Sequence, residues 1–205
     1  MTSVELDDLL GRDRYGAARA DIRRRIIAHK ARRRVQVGER MSLLFEDPAT
    51  VWFQTQEMLW VEGITDLDAI RDELRTYAAL LPGRADLSAT LLLEIVEQSR
   101  VRDELRRLRG LDHHLWLGVA DERVAGVFED GRESDTKLSA VQYVRFPLSP
   151  AVRAALSGGR PLAIVVDHPA YQHVAAVPAP VRESLVADLR DPAVGRAALR
   201  WVRDG

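Results

Sequence analysis

The sequence predicts an α+β fold: a helical N-terminal layer packed on a mostly antiparallel sheet of about five strands, with C-terminal helices. Three observations predict it. Through residue 83 the apolar residues recur mainly at helical spacing, from about residue 88 the period shortens to that of strands, and the end of the chain reads as helix again. Helices first and strands afterwards fit α+β better than a wound parallel sheet, in which the two alternate. No repeat or low-complexity linker interrupts the chain. Residues 1–205 are therefore expected as a single domain, with 1–83 as the helical layer and 84–205 as the sheet with its helices.

The first helix is expected over residues 19–35. At about 100° per residue, Ile22, Ile26, His29 and Arg33 fall on one side of it. His29 reads there as a packed or solvent-edge histidine. The second helix has the clearest boundaries. Asp47 is a good N-cap, Pro48 suits the first helical position, and Gly63 is a credible stop. Between them Val51, Trp52, Phe53, Met58, Leu59, Trp60 and Val61 point almost all round the axis, as in a helix buried on most sides. Gln54, Gln56, Glu57 and Glu62 interrupt that surface, and polar groups so placed need partners. Thr65 or Asp66 caps a third helix with a stripe of Leu67, Ile70, Leu74, Ala78 and Leu81, closed by Pro82-Gly83.

Residues 88–97 fit a strand covered on both faces, with a helix as the rival reading because Leu and Ala dominate. A short helix follows at about 99–109, then strands at 115–120, 123–129, 141–147, 161–167 and, more weakly, 172–177. "ADER" reads as a hairpin and "EDGRESDTK" as a polar, turn-rich loop. Ser149-Pro150 opens a helix that ends at Gly158-Gly159, and Pro180 and Pro192 mark the starts of the last helices.

Composition narrows the function classes. The absence of cysteine excludes disulfides, thiolate catalysis and cysteine-ligated clusters in this chain. No apolar run approaches the roughly 18–20 residues of a bilayer span. The N-terminus, MTSVELDDLL, lacks the basic start and apolar run of a signal peptide, so a soluble cytoplasmic protein is expected. Net charge is −1, yet Arg19, Arg23, Arg24, Arg25, Lys30, Arg32, Arg33 and Arg34 face a single acid, Asp21, within residues 19–34. Such a block suits an acidic partner, a small anion or nucleic acid, or simply a solvated face. No aromatic stacking platform accompanies it, which argues against nucleic acid.

There is no phosphate-binding glycine loop, no Gly-x-Ser-x-Gly elbow and no His-Glu-x-x-His. Two histidine groups remain: Asp112, His113 and His114 in "LDHHL", and Asp167, His168, Tyr171 and His173 in "VDHPAYQH". Such residues at a strand edge can bind a metal or act as acid and base. Glu57, Glu62, Glu94 and Glu97 offer a second route, a carboxylate-rich cation site if their segments pack together. The alternatives are salt bridges to the basic helix, or a contact for a partner or ligand. No Glu-x-x-His of the di-metal bundles is present.

The segments "RRRIIAHKARRRVQVGERMSLLFEDPATVWFQTQEMLWVEGI", "LPGRADLSATLLLEI", "VQYVRFPL" and "DHPAY" together resemble a bacterial family catalogued as domain of unknown function 3501. The resemblance spans roughly residues 12–190 and is most specific in the first segment. It implies a setting beside rubrerythrin-like and iron–sulfur oxidoreductase-like proteins, and it carries over no catalytic residue. The first expectation is thus an accessory protein docking onto a redox partner through Arg23, Arg24, Arg32 and Arg33, with Gln54 and Glu57 as a polar patch. The alternative is a metal-dependent enzyme or metal carrier using Glu57, Glu62 or Glu94 with His168 or His173, a metal ion being the one cofactor the residues leave open. A third is nucleic-acid binding through residues 19–34.

Overall fold

The computed structural model describes residues 3–95, 97–129 and 139–205. Its helices are α1 (Arg12–Ala31), α2 (Pro48–Glu62), α3 (Leu67–Ala78), α4 (Val101–Arg107), α5 (Pro150–Ser157), α6 (Ala179–Arg190) and α7 (Ala193–Asp204). Its strands are β1 (Arg34–Val37), β2 (Met41–Phe45), β3 (Asp86–Leu93), β4 (Leu115–Val119), β5 (Glu122–Ala125), β6 (Val127–Phe128), β7 (Val141–Pro147), β8 (Leu162–His168) and β9 (Tyr171–Ala176). The α+β class is as expected, but the strands divide between two antiparallel sheets, ordered β1-β2-β3-β7-β6 and β5-β4-β8-β9. The expectation for residues 88–97 resolves as strand, while most of the "EDGRESDTK" stretch (130–137) lies outside the described residues.

Two departures from the sequence reading have local causes. The first helix ends at Ala31, and residues 34–45, expected within the helical layer, form the hairpin β1–β2. Val35, Val37, Met41, Leu43 and Phe45 recur at the strand period and are buried in the inter-sheet core, while Leu44 is buried on the opposite face of β2. Gly38 turns the chain between them with φ +64°, and any side chain there would collide with the Tyr171 hydroxyl. That hydroxyl donates to the Val37 carbonyl at 2.6 Å and accepts from the Arg40 N–H at 3.2 Å, tying the hairpin to β9 of the other sheet. The second departure lies in residues 123–129. They read as one strand but break at Gly126, so that β5 pairs with β4 and β6 with β7 of the opposite sheet. A Cβ at Gly126 would stand 2.9 Å from Val144, so this crossing between sheets requires glycine.

The inner faces of the sheets share one apolar core, which α5 and α6 close with Val152, Leu156, Val181 and Leu185. The helical layer has its own core, in which Tyr15, Ile22 and Ile26 of α1, Trp52 of α2, and Leu199 and Val202 of α7 pack together. Tyr143 of β7 packs against that cluster and joins it to the outer face of the first sheet. Around the seam between the two cores lie buried polar groups, among them Arg33, Glu46, Asp47, Ser88 and Thr90.

Candidate functional site

The polar residues of α2 find different partners. Gln56 is buried and clamps Leu10, accepting from its N–H at 2.8 Å and donating to its carbonyl at 3.1 Å. Glu57 receives the Tyr15 hydroxyl at 2.5 Å, Arg19 through Nε and Nη2 at 2.8 and 2.9 Å, and Arg23 at 2.9 Å. Burial would raise its carboxyl pKa, but the bonds from Arg19 and Tyr15 outweigh that and leave it lowered. The Tyr15 hydroxyl is raised in turn by its burial and by Glu57. Gln54 and Glu62 are exposed. Gln54 hydrogen-bonds Tyr77 of α3 and so serves a different neighbour from Glu57.

The basic segment is correspondingly less open than its sequence implies. Arg19 and Arg23 hold Glu57, Arg25 donates to the carbonyls of Val202 and Arg203, and Arg33 is only 1% exposed. Arg33 thus cannot present its charge to a partner, because it lies past the end of α1 with its guanidinium turned into the seam. Arg24 and Arg32 remain exposed.

The seam holds an ionic centre that the sequence did not reveal. Arg33 donates through Nε to the Phe45 carbonyl at 2.8 Å, through Nη2 to the Glu46 carbonyl at 3.0 Å and through Nη1 to the Ser184 hydroxyl at 2.9 Å. Its charge faces Asp47 at 3.5 Å and Asp188 of α6 at 2.7 Å. Asp47 is also the N-cap of α2, accepting from the Thr50 N–H at 2.9 Å, and its second oxygen lies 2.7 Å from His29 Nε2. Burial pushes the Asp47 carboxyl up, but Arg33 and His29 overcome it and bring the pKa down to about 2. Asp188 is raised, because its burial exceeds the pull of Arg33. Glu46 accepts from the hydroxyls of Thr50 and Thr90, both at 2.5 Å, and is also raised, since burial outweighs those bonds. Three acids therefore crowd one permanently charged guanidinium.

Above this centre opens a cleft of about 270 Å³ between the start of α2, the start of β3, and α5 and α6. Arg33, Glu46, Asp47 and Asp188 line its buried part, and the exposed Arg84 and Arg190 stand toward solvent. Phe45, Leu185 and Leu189 supply apolar wall.

The histidine groups approach each other in part. His114 Nδ1 stands 3.0 Å from Asp167, the two rings of His114 and His168 meet edge to face at 5.2 Å, and His113 points to solvent. His168 Nε2 donates to the Arg109 carbonyl at 2.8 Å and its Nδ1 accepts from the Ala170 N–H at 3.1 Å, which occupies both ring nitrogens. His173 packs on the Tyr171 ring. Glu94 accepts from Ser42 at 2.6 Å and faces Arg34 at 3.6 Å. Glu57 and Glu62 on α2 do not join either histidine. Among the described residues no group of three or more His, Asp or Glu side chains could hold a metal ion. The metal site expected from Glu57, Glu62, Glu94, His168 and His173 is therefore not assembled, since these side chains belong to separate elements with partners of their own. Among the described residues, no helix is long and apolar enough to cross a membrane.

A crystal structure of a novel protein of unknown function from Burkholderia pseudomallei is similar to this chain, at 40% identity and a TM-score of 0.87, covering 92% of this chain and all of that one. No curated protein matches the chain. The model of the family described as "Protein of unknown function (DUF3501)" matches residues 3–189, and the chain belongs to that family.

Proposed function

We propose that the protein is an accessory binding protein that docks onto an acidic face of a redox partner through the open side of α1. The observation that carries this reading is the make-up of that side. Ala20, Ala28 and Ala31 are exposed near Ile27, which is 64% exposed, and the exposed Arg23, Arg24 and Arg32 lie among and beside them, Arg23 also reaching Glu57 and Arg24 pairing with Asp21. Small apolar side chains interspersed with cations suit a docking patch better than an inert helix face. The rubrerythrin-like or iron–sulfur class of partner rests on the family resemblance. Gln54 is exposed on α2 one turn from Glu57, on the side of α3.

The test is binding of purified rubrerythrin-like and iron–sulfur proteins, the classes of partner that the family resemblance implies. Reversing Arg24 and Arg32 to Glu should abolish binding that weakens with salt in the unmodified protein. Arg33 is unsuitable for reversal, because a buried Glu there would oppose Asp47 and Asp188 and disturb the fold. Undiminished binding by the Arg24→Glu/Arg32→Glu variant, with the fold intact, would rule out this face.

A further inference from the structure

We propose that Lys30, at the end of α1, is a reactive amine that takes up an acyl group from an acyl phosphate. Its side chain is partly buried, and Nζ stands 4.9 Å from the centroid of the Phe53 ring on α2. Among the described residues this nitrogen has no hydrogen bond and no carboxylate within salt-bridge distance. Nor is it sealed in. The buried side-chain nitrogens and oxygens without a partner are Asp112 Oδ1, Arg153 Nε and Asp188 Oδ2, so the unpartnered Nζ of Lys30 keeps surface open to solvent. A lysine drawn partly out of water, unpaired and still within reach is placed as a nucleophile.

A lysine resting on a ring is commonly a charged one, held by about 0.5–1 kcal/mol at an exposed site. The surroundings of Lys30 work against that charge. Withdrawal from water lowers its ammonium most, and Arg34 and Arg23 lower it further, against the opposing pull of Glu46 and Glu57. Neither acid answers the lysine with a bond: Glu57 is held by Arg19, Arg23 and Tyr15, and Glu46 by the hydroxyls of Thr50 and Thr90. The same arginines select the electrophile. Arg23 and Arg34 keep 48% and 42% of their side chains exposed, and their field around Nζ favours an anionic acyl donor over a neutral one. With an acyl phosphate, the free amine attacks the carbonyl carbon and the N–C bond forms. The C–O bond to phosphate breaks, phosphate leaves with the electron pair, and the proton of the amine passes to water. No oxidant or reductant takes part, and the product is a neutral amide.

Incubation of the folded protein with acetyl phosphate, followed by peptide mass spectrometry, tests the assignment. The chain has two lysines, Lys30 and Lys137, so each acetyl group is localised directly. Lys30 should react at least about threefold faster than the same lysine in a synthetic peptide of residues 26–34, because a lowered ammonium leaves more free amine at neutral pH. Arg34→Gln should slow that reaction about twofold or more, and should change the rate with the neutral donor p-nitrophenyl acetate less. If folded Lys30 reacts no faster than the peptide, the reactive amine is overturned. Equal effects of Arg34→Gln on the two donors overturn the choice of acyl phosphate. The comparison of unmodified protein with peptide does not depend on how the variant folds. The reaction is read on the isolated protein, so this proposal and docking through α1 can each fail while the other stands.

Discussion

Arg33 shows how much one side chain can hold. It is among the largest fully buried residues, and its guanidinium bonds two carbonyls at the end of β2 and a hydroxyl on α6 while facing two carboxylates. Arg33→Met should destabilise the fold by about 3–5 kcal/mol, because Asp47 and Asp188 are then left buried without their cation. Arg33→Lys should recover only part of that, since an ammonium cannot reproduce the planar fork. Adding Asp188→Leu to Arg33→Met should restore stability beyond additivity, as the second change removes an orphaned acid. Urea unfolding of the single and double variants measures this. A loss under about 1 kcal/mol for Arg33→Met would mean the centre is solvated rather than dry. Tyr171 makes a smaller claim of the same kind. Tyr171→Phe strips the partner from the Val37 carbonyl and the Arg40 N–H and should cost about 1–3 kcal/mol, read from the urea midpoint.

Among elements, the joint between α1 and α2 is set by Glu57, whose carboxylate takes one bond from Tyr15 and three from Arg19 and Arg23. Glu57→Gln should lower stability by about 1–3 kcal/mol and speed amide exchange along α1. Unchanged exchange in α1 would show that the apolar contacts of Ile22 and Ile26 hold the helix alone. This clamp was open to sequence reasoning, because a carboxylate on an apolar helix beside an arginine-rich one had salt bridging among its readings. The limits of α2 were equally legible, since Asp47 caps it, Pro48 starts it and Gly63 ends it in the left-handed conformation. The hairpin β1–β2 departs from the helix expected there, although its signal is present. Val35, Val37, Met41, Leu43 and Phe45 keep a period of two around Gly38, but the arginine-rich run before them carries the helical pattern on through residue 35. The switch at Gly126 was hidden for another reason: apolar alternation fixes a face, not which of two sheets a strand joins. The Arg33 centre could not be read at all, because Ser184 and Asp188 lie about 150 positions away in the sequence and only the packing of α6 brings them in. Helical spacing places Arg33 on the stripe of Ile22, Ile26 and His29, but α1 ends at Ala31, before that stripe reaches it.

At the scale of the molecule, the buried acids give opposite responses to pH. Glu46 and Asp188 are raised by burial, so the folded state takes up their protons before the unfolded chain does. Stability from these two therefore increases as pH falls from neutral toward their ordinary values. Asp47 is the reverse: with a folded pKa of about 2 against an ordinary 3.8, its contribution is complete above about pH 4 and is lost as pH falls toward 2. That difference corresponds to roughly 2 kcal/mol. Asp8, buried but bonded by Arg196, and Glu57 are also lowered and lose their contributions in the same direction. The expected profile rises on mild acidification and collapses below about pH 4, instead of staying flat through neutrality. Urea midpoints between neutral pH and pH 2 would trace it. Glu46→Gln should flatten the mildly acidic rise while leaving the collapse, and Asp47→Asn should remove part of the collapse while lowering stability at neutral pH. A rise that survives in the double variant Glu46→Gln/Asp188→Asn would place its origin outside the Arg33 centre, and the seam would then be a passive joint between the helical layer and the sheets.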